Sequence, residues 1–212
     1  MERLERVDFL TDGVFAIVAT LLVLEIHVPE IPANHTSAEL WHSLGAVAPS
    51  LVAFVFSFLS ILVYWLNHVA LTRRLERDTY RLVWANMILL LWITLIPFTT
   101  KFIAEYPTEP IAVVAYGLLS LITAVTAILT YCYVAFWAKP DLMSSTVNRA
   151  ARVRLLRKWS VGPVFYAVAI ATAFVSTWIA VAIYIIVPAF FLVPRLQEGV
   201  LEDLQEEPTP AR

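Results

Sequence analysis

Long apolar runs, each about the length of a membrane-spanning helix, alternate with short polar segments along this chain. A helix needs about 20 predominantly apolar residues to cross the hydrocarbon core of a bilayer. Four such runs cover residues 8–28, 44–71, 82–103 and 111–137. Prolines or clustered charges end each of them. The pattern therefore predicts four membrane-spanning helices over these ranges.

The last apolar run, residues 161–193, is too long for one span and just long enough for two short ones. The polar pair within Val175-Ser176-Thr177-Trp178 predicts a turn. We therefore expect a tight hairpin that supplies a fifth and a sixth helix. A single span would instead place the C-terminus on the other side of the membrane.

Composition supports an integral, all-α membrane protein. Of 212 residues, 60% are hydrophobic and only 15% are charged, and the mean hydropathy is +0.75, which is too apolar for a soluble domain. A net charge of -2 argues against nucleic acid as a partner. Cys132 is the only cysteine, so an intrachain disulfide and a cysteine-based metal site are excluded. The first span carries charge at both ends and precedes no small-residue cleavage site, so we expect it to stay in the mature protein.

Basic residues are distributed unevenly between the loops, and cytoplasmic loops carry an excess of Lys and Arg. With six spans, all but one of the basic segments fall on one side: Arg3 and Arg6; Arg73, Arg74, Arg77 and Arg81; Lys139 to Lys158; and Arg195. The exception, Lys101, lies at a helix end from which it can snorkel. The chain is therefore predicted to be a multi-pass protein of the cell membrane with both termini cytoplasmic. We expect a transmembrane domain over residues 1–195 and an exposed, acidic cytoplasmic tail over residues 196–212.

The chain has no Walker, His-Glu-x-x-His or Gly-x-Gly-x-x-Gly motif and no Thr-Val-Gly-Tyr-Gly potassium filter, so we expect neither an enzyme nor a cofactor. Its most informative polar residue is Asp12, which lies inside the first apolar run and needs a hydrogen-bonding or charged partner. Arg6 and His68 lie at the same end of their helices, so a contact with Asp12 is geometrically possible. Asn67 on the second helix is a further candidate, and the third helix offers Asn86 and Trp92.

One stripe of the first helix follows the 3.6-residue helical repeat: Gly13, Ile17, Thr20, Leu21, Leu24 and Val28. Two interpretations are open. The aliphatic members could pack against the second helix or lipid, which is ordinary in membrane helices. They could instead form a hydrophobic pore constriction that gates by partial dehydration.

The start of the first helix resembles the signature of the transmembrane protein 175 family of potassium channels, Arg-x-x-x-Phe-Ser-Asp. Here it reads Arg6-x-x-x-Leu10-Thr11-Asp12, followed by Gly13-Val14-Phe15-Ala16-Ile17 and Thr20-Leu21-Leu22-Val23-Leu24-Glu25. Leu10 replaces Phe and Thr11 replaces Ser, and both substitutions keep the chemical type. Further matches are Tyr64-Trp65-Leu66-Asn67-His68 and Ile96-Pro97-Phe98-Thr99-Thr100.

The resemblance implies a homotetramer of six-helix subunits whose first helices line a central pore for potassium ions. Ile17 would form the constriction, Leu21 and Leu24 further hydrophobic rings, and Thr20 a polar position beside them. An interhelical polar network would comprise Arg6, Thr11, Asp12 and His68, with Asn86 and Trp92 as its third-helix candidates. Glu25 could add negative potential at the outer mouth or simply face water as an interfacial carboxylate.

The leading functional hypothesis is thus a potassium-permeable cation channel with a hydrophobic filter or gate, partnered by itself and the lipid bilayer. We expect weaker discrimination of potassium from sodium than a carbonyl filter gives. An alternative is a proton-coupled transporter or proton channel that uses Asp12 and His68, because histidine titrates near neutral pH. A non-conducting membrane scaffold is a third possibility.

Overall fold

The computed structural model describes residues 2–29, 34, 36–77, 79–139, 141–144 and 147–192, with side chains from residue 6 onward. Within these ranges the chain is mostly helical: α1 (Glu2–Leu21), α2 (Ser37–Ala46), α3 (Ala48–Thr72), α4 (Tyr80–Thr94), α5 (Ile96–Glu105), α6 (Pro110–Cys132), α7 (Arg149–Ala173) and α8 (Thr177–Leu192). A 3-10 turn, Leu22–Glu25, continues α1, and a π-helical turn, Tyr133–Trp137, continues α6. The predicted acidic tail, 196–212, lies outside the described residues.

Four helical segments in the described ranges are long and apolar enough to span a membrane: Arg6–Glu25, Ser37–Thr72, Tyr80–Glu105 and Pro110–Trp137. They overlap the first four apolar runs of the sequence. The last helix, Thr177–Leu192, is apolar but shorter. The prediction of a mostly helical membrane protein is confirmed, and four of its six predicted spans correspond to long apolar helices.

Prolines divide two of the long segments. Val47 separates α2 from α3 two residues before Pro49, and Leu95 separates α4 from α5 two residues before Pro97. Interior prolines do occur in this bundle, at Pro163 of α7 and Pro188 of α8. Proline has no backbone N–H, however, and its ring clashes with the carbonyl four residues earlier, so it is accommodated most easily in the first turn of a helix, where Pro49 and Pro97 lie. The prediction of one unbroken third helix was wrong at Leu95 for this reason.

Two helices begin earlier than the apolar pattern predicts. α1 begins at Glu2 rather than Asp8, and α7 begins at Arg149 rather than Val161. Charged residues of high helix propensity extend both helices beyond the apolar run. The Asn148 side chain caps α7 by accepting a hydrogen bond from the Ala151 amide at 2.9 Å.

Two polar connections pair with each other at one end of the bundle. An antiparallel bridge joins Leu75 to Met143, and the Ser144 amide donates to the Arg74 carbonyl at 2.9 Å. Leu142 and Met143 are buried there. The arginine-bearing connection after α3 and the connection before α7 therefore lie at the same end.

An ion pair ties the second of these connections to α7. The Arg152 guanidinium contacts both carboxylate oxygens of Asp141, at 2.8 and 3.2 Å. Hydrogen bonding from Arg152 lowers the pKa of Asp141 below its usual range. Arg152 also donates to the Ala135 carbonyl at 2.8 Å, which links the end of α6 to α7.

Buried tyrosines and one glycine join α6 to its neighbours. The Tyr184 hydroxyl donates to the Val113 carbonyl at 2.9 Å, and the Tyr64 hydroxyl donates to the Ser120 carbonyl at 3.0 Å. Tyr184 passes directly over Gly117, where a Cβ atom would meet its hydroxyl group. Small residues and interhelical hydrogen bonds of this kind hold membrane helices together.

Candidate pore helix and its polar network

The first helix has one buried and one exposed face. Its buried face carries Phe15, Val18, Ala19 and Leu22, and α1 packs against α3 and α4. The opposite face is uncovered within the subunit, and a Cβ atom added at Gly13 would meet nothing within 4 Å. An apolar face of this size is normally buried, here against lipid or against other subunits.

The predicted aliphatic stripe lies on the uncovered face. Ile17, Leu21 and Leu24 are 59%, 43% and 68% exposed. About half of each side chain is therefore left uncovered by the rest of the chain, so lipid or another copy of the chain must cover it. Thr20 lies beside them, and its hydroxyl group is close to the Ala16 and Ile17 carbonyls of its own helix, at 3.0 and 2.9 Å.

A buried hydrogen-bond chain attaches the start of α1 to α4. The Thr11 hydroxyl donates to the Val7 carbonyl at 2.8 Å. It accepts a hydrogen bond of 2.8 Å from the Asn86 side-chain N–H group. Thr11 is fully buried and Asn86 is 4% exposed, so this contact is shielded from solvent. Both residues were candidates from the sequence.

The partner of Asp12 differs from the one expected. The Trp65 indole N–H donates to Asp12 Oδ1 at 2.8 Å, and His68 does not hydrogen-bond to Asp12. Trp65 and His68 are three residues apart on α3, so they share a face and both lie near the start of α1. Sequence spacing could not choose between them, although the quoted motif contains both.

The other candidates are spread more widely. Arg6 is exposed and forms no ion pair with Asp12. Trp92 lies nearly two turns beyond Asn86 and packs against the buried apolar core of the helical bundle. Glu25 lies 3.6 Å from the Lys101 ammonium on α5, which offsets the negative charge expected at the outer mouth. No three His, Cys, Asp or Glu side chains in the described ranges are grouped to hold a metal ion.

We expect the Thr11–Asn86 contact to contribute measurably to stability. Thr11→Val leaves the buried Asn86 amide without its acceptor, and Asn86→Leu removes the donor. The two single substitutions should each lower the free energy of unfolding by about 1–3 kcal/mol. The double mutant should recover roughly 0.6–1.7 kcal/mol of the summed loss, the range of interhelical hydrogen bonds in membranes. Denaturant unfolding in detergent micelles measures this coupling.

Thr126→Val is the matched control, because the exposed Thr126 hydroxyl donates only to the Ile122 carbonyl of its own helix. It should change the free energy of unfolding by less than about 0.5 kcal/mol. Strictly additive losses in the Thr11 and Asn86 variants would contradict a direct contact.

The chain is similar to known proteins over nearly its full length. The family described as "Endosomal/lysosomal potassium channel TMEM175" matches residues 6–97. A potassium channel of Chamaesiphon minutus is 35% identical, covering 88% of this chain and 92% of that protein. A potassium channel of a Chryseobacterium species is 29% identical, covering 93% and 98%. The crystal structure of a lysosomal potassium-selective channel TMEM175 homologue from Chamaesiphon minutus superposes with a TM-score of 0.78 at 32% identity, covering 90% of this chain and 97% of that one. This chain belongs to the TMEM175 family.

Proposed function

We propose that the protein is a potassium-permeable cation channel in which the first helices of four identical subunits line the pore. The observation that carries this proposal is the uncovered aliphatic stripe of α1, formed by Ile17, Leu21 and Leu24. The nearly full-length relatives that are named potassium channels support the same function. One subunit cannot enclose an ion path with a single helix, and closed rotational symmetry is the usual solution.

The constriction in this channel is a set of aliphatic rings rather than a cage of carbonyl oxygens. Around the symmetry axis, Ile17 forms the narrowest ring and Leu21 and Leu24 form rings nearer the outer side. Hydrophobic constrictions control conduction by dewetting. Gly13 precedes this section and leaves space on the same face.

Each subunit has six spans with both termini in the cytoplasm, in a cell membrane. Support comes from the basic segments among the described residues: the connections after α3 and before α7 lie at the same end of the bundle. The Leu75–Met143 bridge joins two of them. The start of α1 lies near this end, because Val7 lines a cavity together with Leu75. The end of α8 packs against α7, because a Cβ atom added at Gly162 of α7 would lie 3.8 Å from the Phe191 ring. An excess of Lys and Arg marks the cytoplasmic side.

Flux through liposomes tests the proposal. Purified full-length protein is reconstituted, and a potassium, sodium or proton gradient is imposed in separate samples. We expect rapid potassium flux, slower sodium flux and little proton flux, because apolar rings dehydrate ions without offering fixed ligands. Protein-free liposomes set the background. Potassium flux at that background, with the protein correctly assembled, would contradict the proposal.

Proton conduction is the second candidate, favoured by Asp12 and His68 near the start of the pore helix. Asp12 is exposed on α1, and Trp65 supplies one N–H group to it. A carboxylate and a histidine can relay protons. In the same liposomes, rapid proton flux driven by the pH gradient, without potassium flux, would favour this function. Asp12→Asn should then abolish the proton flux.

A further inference from the structure

A cavity lies behind the polar network, at the end of the bundle that carries the basic connections. Its volume is about 40 Å³. The first turns of α1, the second half of α3, the first half of α4, the end of α6 and Trp159 of α7 surround it. Most of its lining is apolar, with leucine and valine side chains from three elements.

Three buried polar atoms without a hydrogen-bond partner belong to residues that line this cavity: His68 Nε2, Asn86 Oδ1 and Trp159 Nε1. Asn86 and Trp159 are only 4% and 6% exposed. Buried polar side chains in proteins nearly always have a partner, which is often an ordered water molecule. Because all three residues line one cavity, a shared ligand explains the unpartnered atoms better than three unrelated defects.

We propose that this cavity binds a cluster of water molecules that hydrogen-bond to His68, Asn86 and Trp159. A single water needs roughly 10–15 Å³ of space measured in this way, so the cavity holds about three. The indole N–H is a donor, the amide oxygen is an acceptor and the imidazole nitrogen can be either. Water both donates and accepts, so one ligand type satisfies all three atoms.

The cluster extends toward the α7–α8 side of the bundle. A second cavity of about 40 Å³ shares Tyr64, Asn67, Ala127 and Trp159 with the first. Each of the three unpartnered atoms is itself enclosed, so contact with water involves a small rotation of the ring or amide group. The terminal torsions of these side chains have broad minima, and the cavity leaves space beside them for such a rotation.

Density maps of the full-length protein test the proposal directly. We expect at least two water peaks in the cavity, each about 2.7–3.2 Å from one of the three atoms. The map must show ordered water elsewhere in the protein. An empty cavity in such a map overturns the proposal. Elongated density continuous with a lipid chain overturns it as well.

Substitutions give a second test, in which the direction of the change in the unfolding midpoint distinguishes a water-filled cavity from an empty one. Ala127→Val adds two methyl groups to the walls of both cavities. In a wet cavity these methyl groups displace water and leave polar atoms unpaired, so the unfolding midpoint should fall by several degrees. In a dry cavity they fill empty space, and the midpoint should rise. A rise overturns the proposal.

Ala53→Val is the matched control. Ala53 lines a cavity of about 240 Å³ in which Trp178 carries the only polar side-chain atom, so its midpoint should stay constant or rise. Trp159→Phe removes the indole N–H and should lower the midpoint if water binds there. If the atom has no ligand, losing an unsatisfied donor should leave the midpoint unchanged or raise it. Trp178→Phe, at a position that is 63% exposed, controls for the replacement of an indole by a phenyl ring outside the cavity.

Discussion

Ile17→Asn should raise single-channel conductance several-fold and bring the permeability ratio of potassium to sodium close to one. The substitution replaces an aliphatic side chain, 59% exposed in the subunit, by an amide whose oxygen can coordinate cations and which hydrogen-bonds to water. An apolar ring holds ions back because they must shed water there, and a polar ring removes much of that barrier. Bilayer recordings under biionic conditions measure both quantities.

Ile186→Asn is the control for this experiment. Ile186 is 55% exposed on α8, so it matches Ile17 in residue type and exposure but lies on a different helix. It should leave conductance and selectivity at their wild-type values. Cross-linking must show that both variants assemble like the wild type, because a polar residue in a membrane helix can alter association. Equal effects of the two substitutions, or none from Ile17→Asn, would place the constriction elsewhere.

Gly117→Ala should destabilise the subunit by about 2–4 kcal/mol. The new methyl group would collide with the Tyr184 hydroxyl and lie 2.7 Å from Ile170 Cγ1. Tyr184 is fully buried, and its hydroxyl group donates to the Val113 carbonyl. Overpacking costs about 1–3 kcal/mol, and loss of the hydrogen bond adds roughly 1 kcal/mol. Thermal unfolding in micelles, followed by tryptophan fluorescence, measures the change.

Gly45→Ala provides the opposite expectation. A Cβ atom at Gly45 would meet nothing within 4 Å, and alanine is favoured over glycine in a helix by up to about 1 kcal/mol. This variant should be as stable as the wild type or more so. If Gly117→Ala behaves in the same way, Tyr184 can move aside and the close approach of α6 and α8 is not required.

The sequence predicted the helical membrane class because apolar runs of about 20 residues match the thickness of a bilayer when they are helical. It misplaced helix ends because hydrophobicity marks where a helix meets lipid, whereas capping and propensity decide where it begins. Arg149 illustrates this difference, since Asn148 caps a helix whose first turns are basic. The break at Leu95 accords with Pro97 in the first turn of α5. A proline alone does not predict such a break, because Pro163 and Pro188 lie inside α7 and α8.

For the site, the sequence identified candidate residues better than it predicted which of them contact one another. Asp12 was identified because a carboxylate inside an apolar run is energetically costly. Its hydrogen-bond partner Trp65 was not among the candidates, which included His68 one turn away. The role of Gly117 was equally hidden, because it depends on Tyr184 from a helix far along the chain. Contacts between distant segments follow from the shape of the packed bundle, and a single sequence does not encode that shape in a local pattern.

The bridge between Leu75 and Met143 also bears on how the protein is made. Met143 leaves the ribosome about 70 residues after Leu75, and translation adds roughly 5–20 residues per second. For several seconds the segment after α3 therefore has no strand to pair with, and Leu75 lacks the buried surface that Leu142 and Met143 later complete. This end of the helical bundle therefore closes late in biosynthesis, after the first four apolar segments have been synthesised.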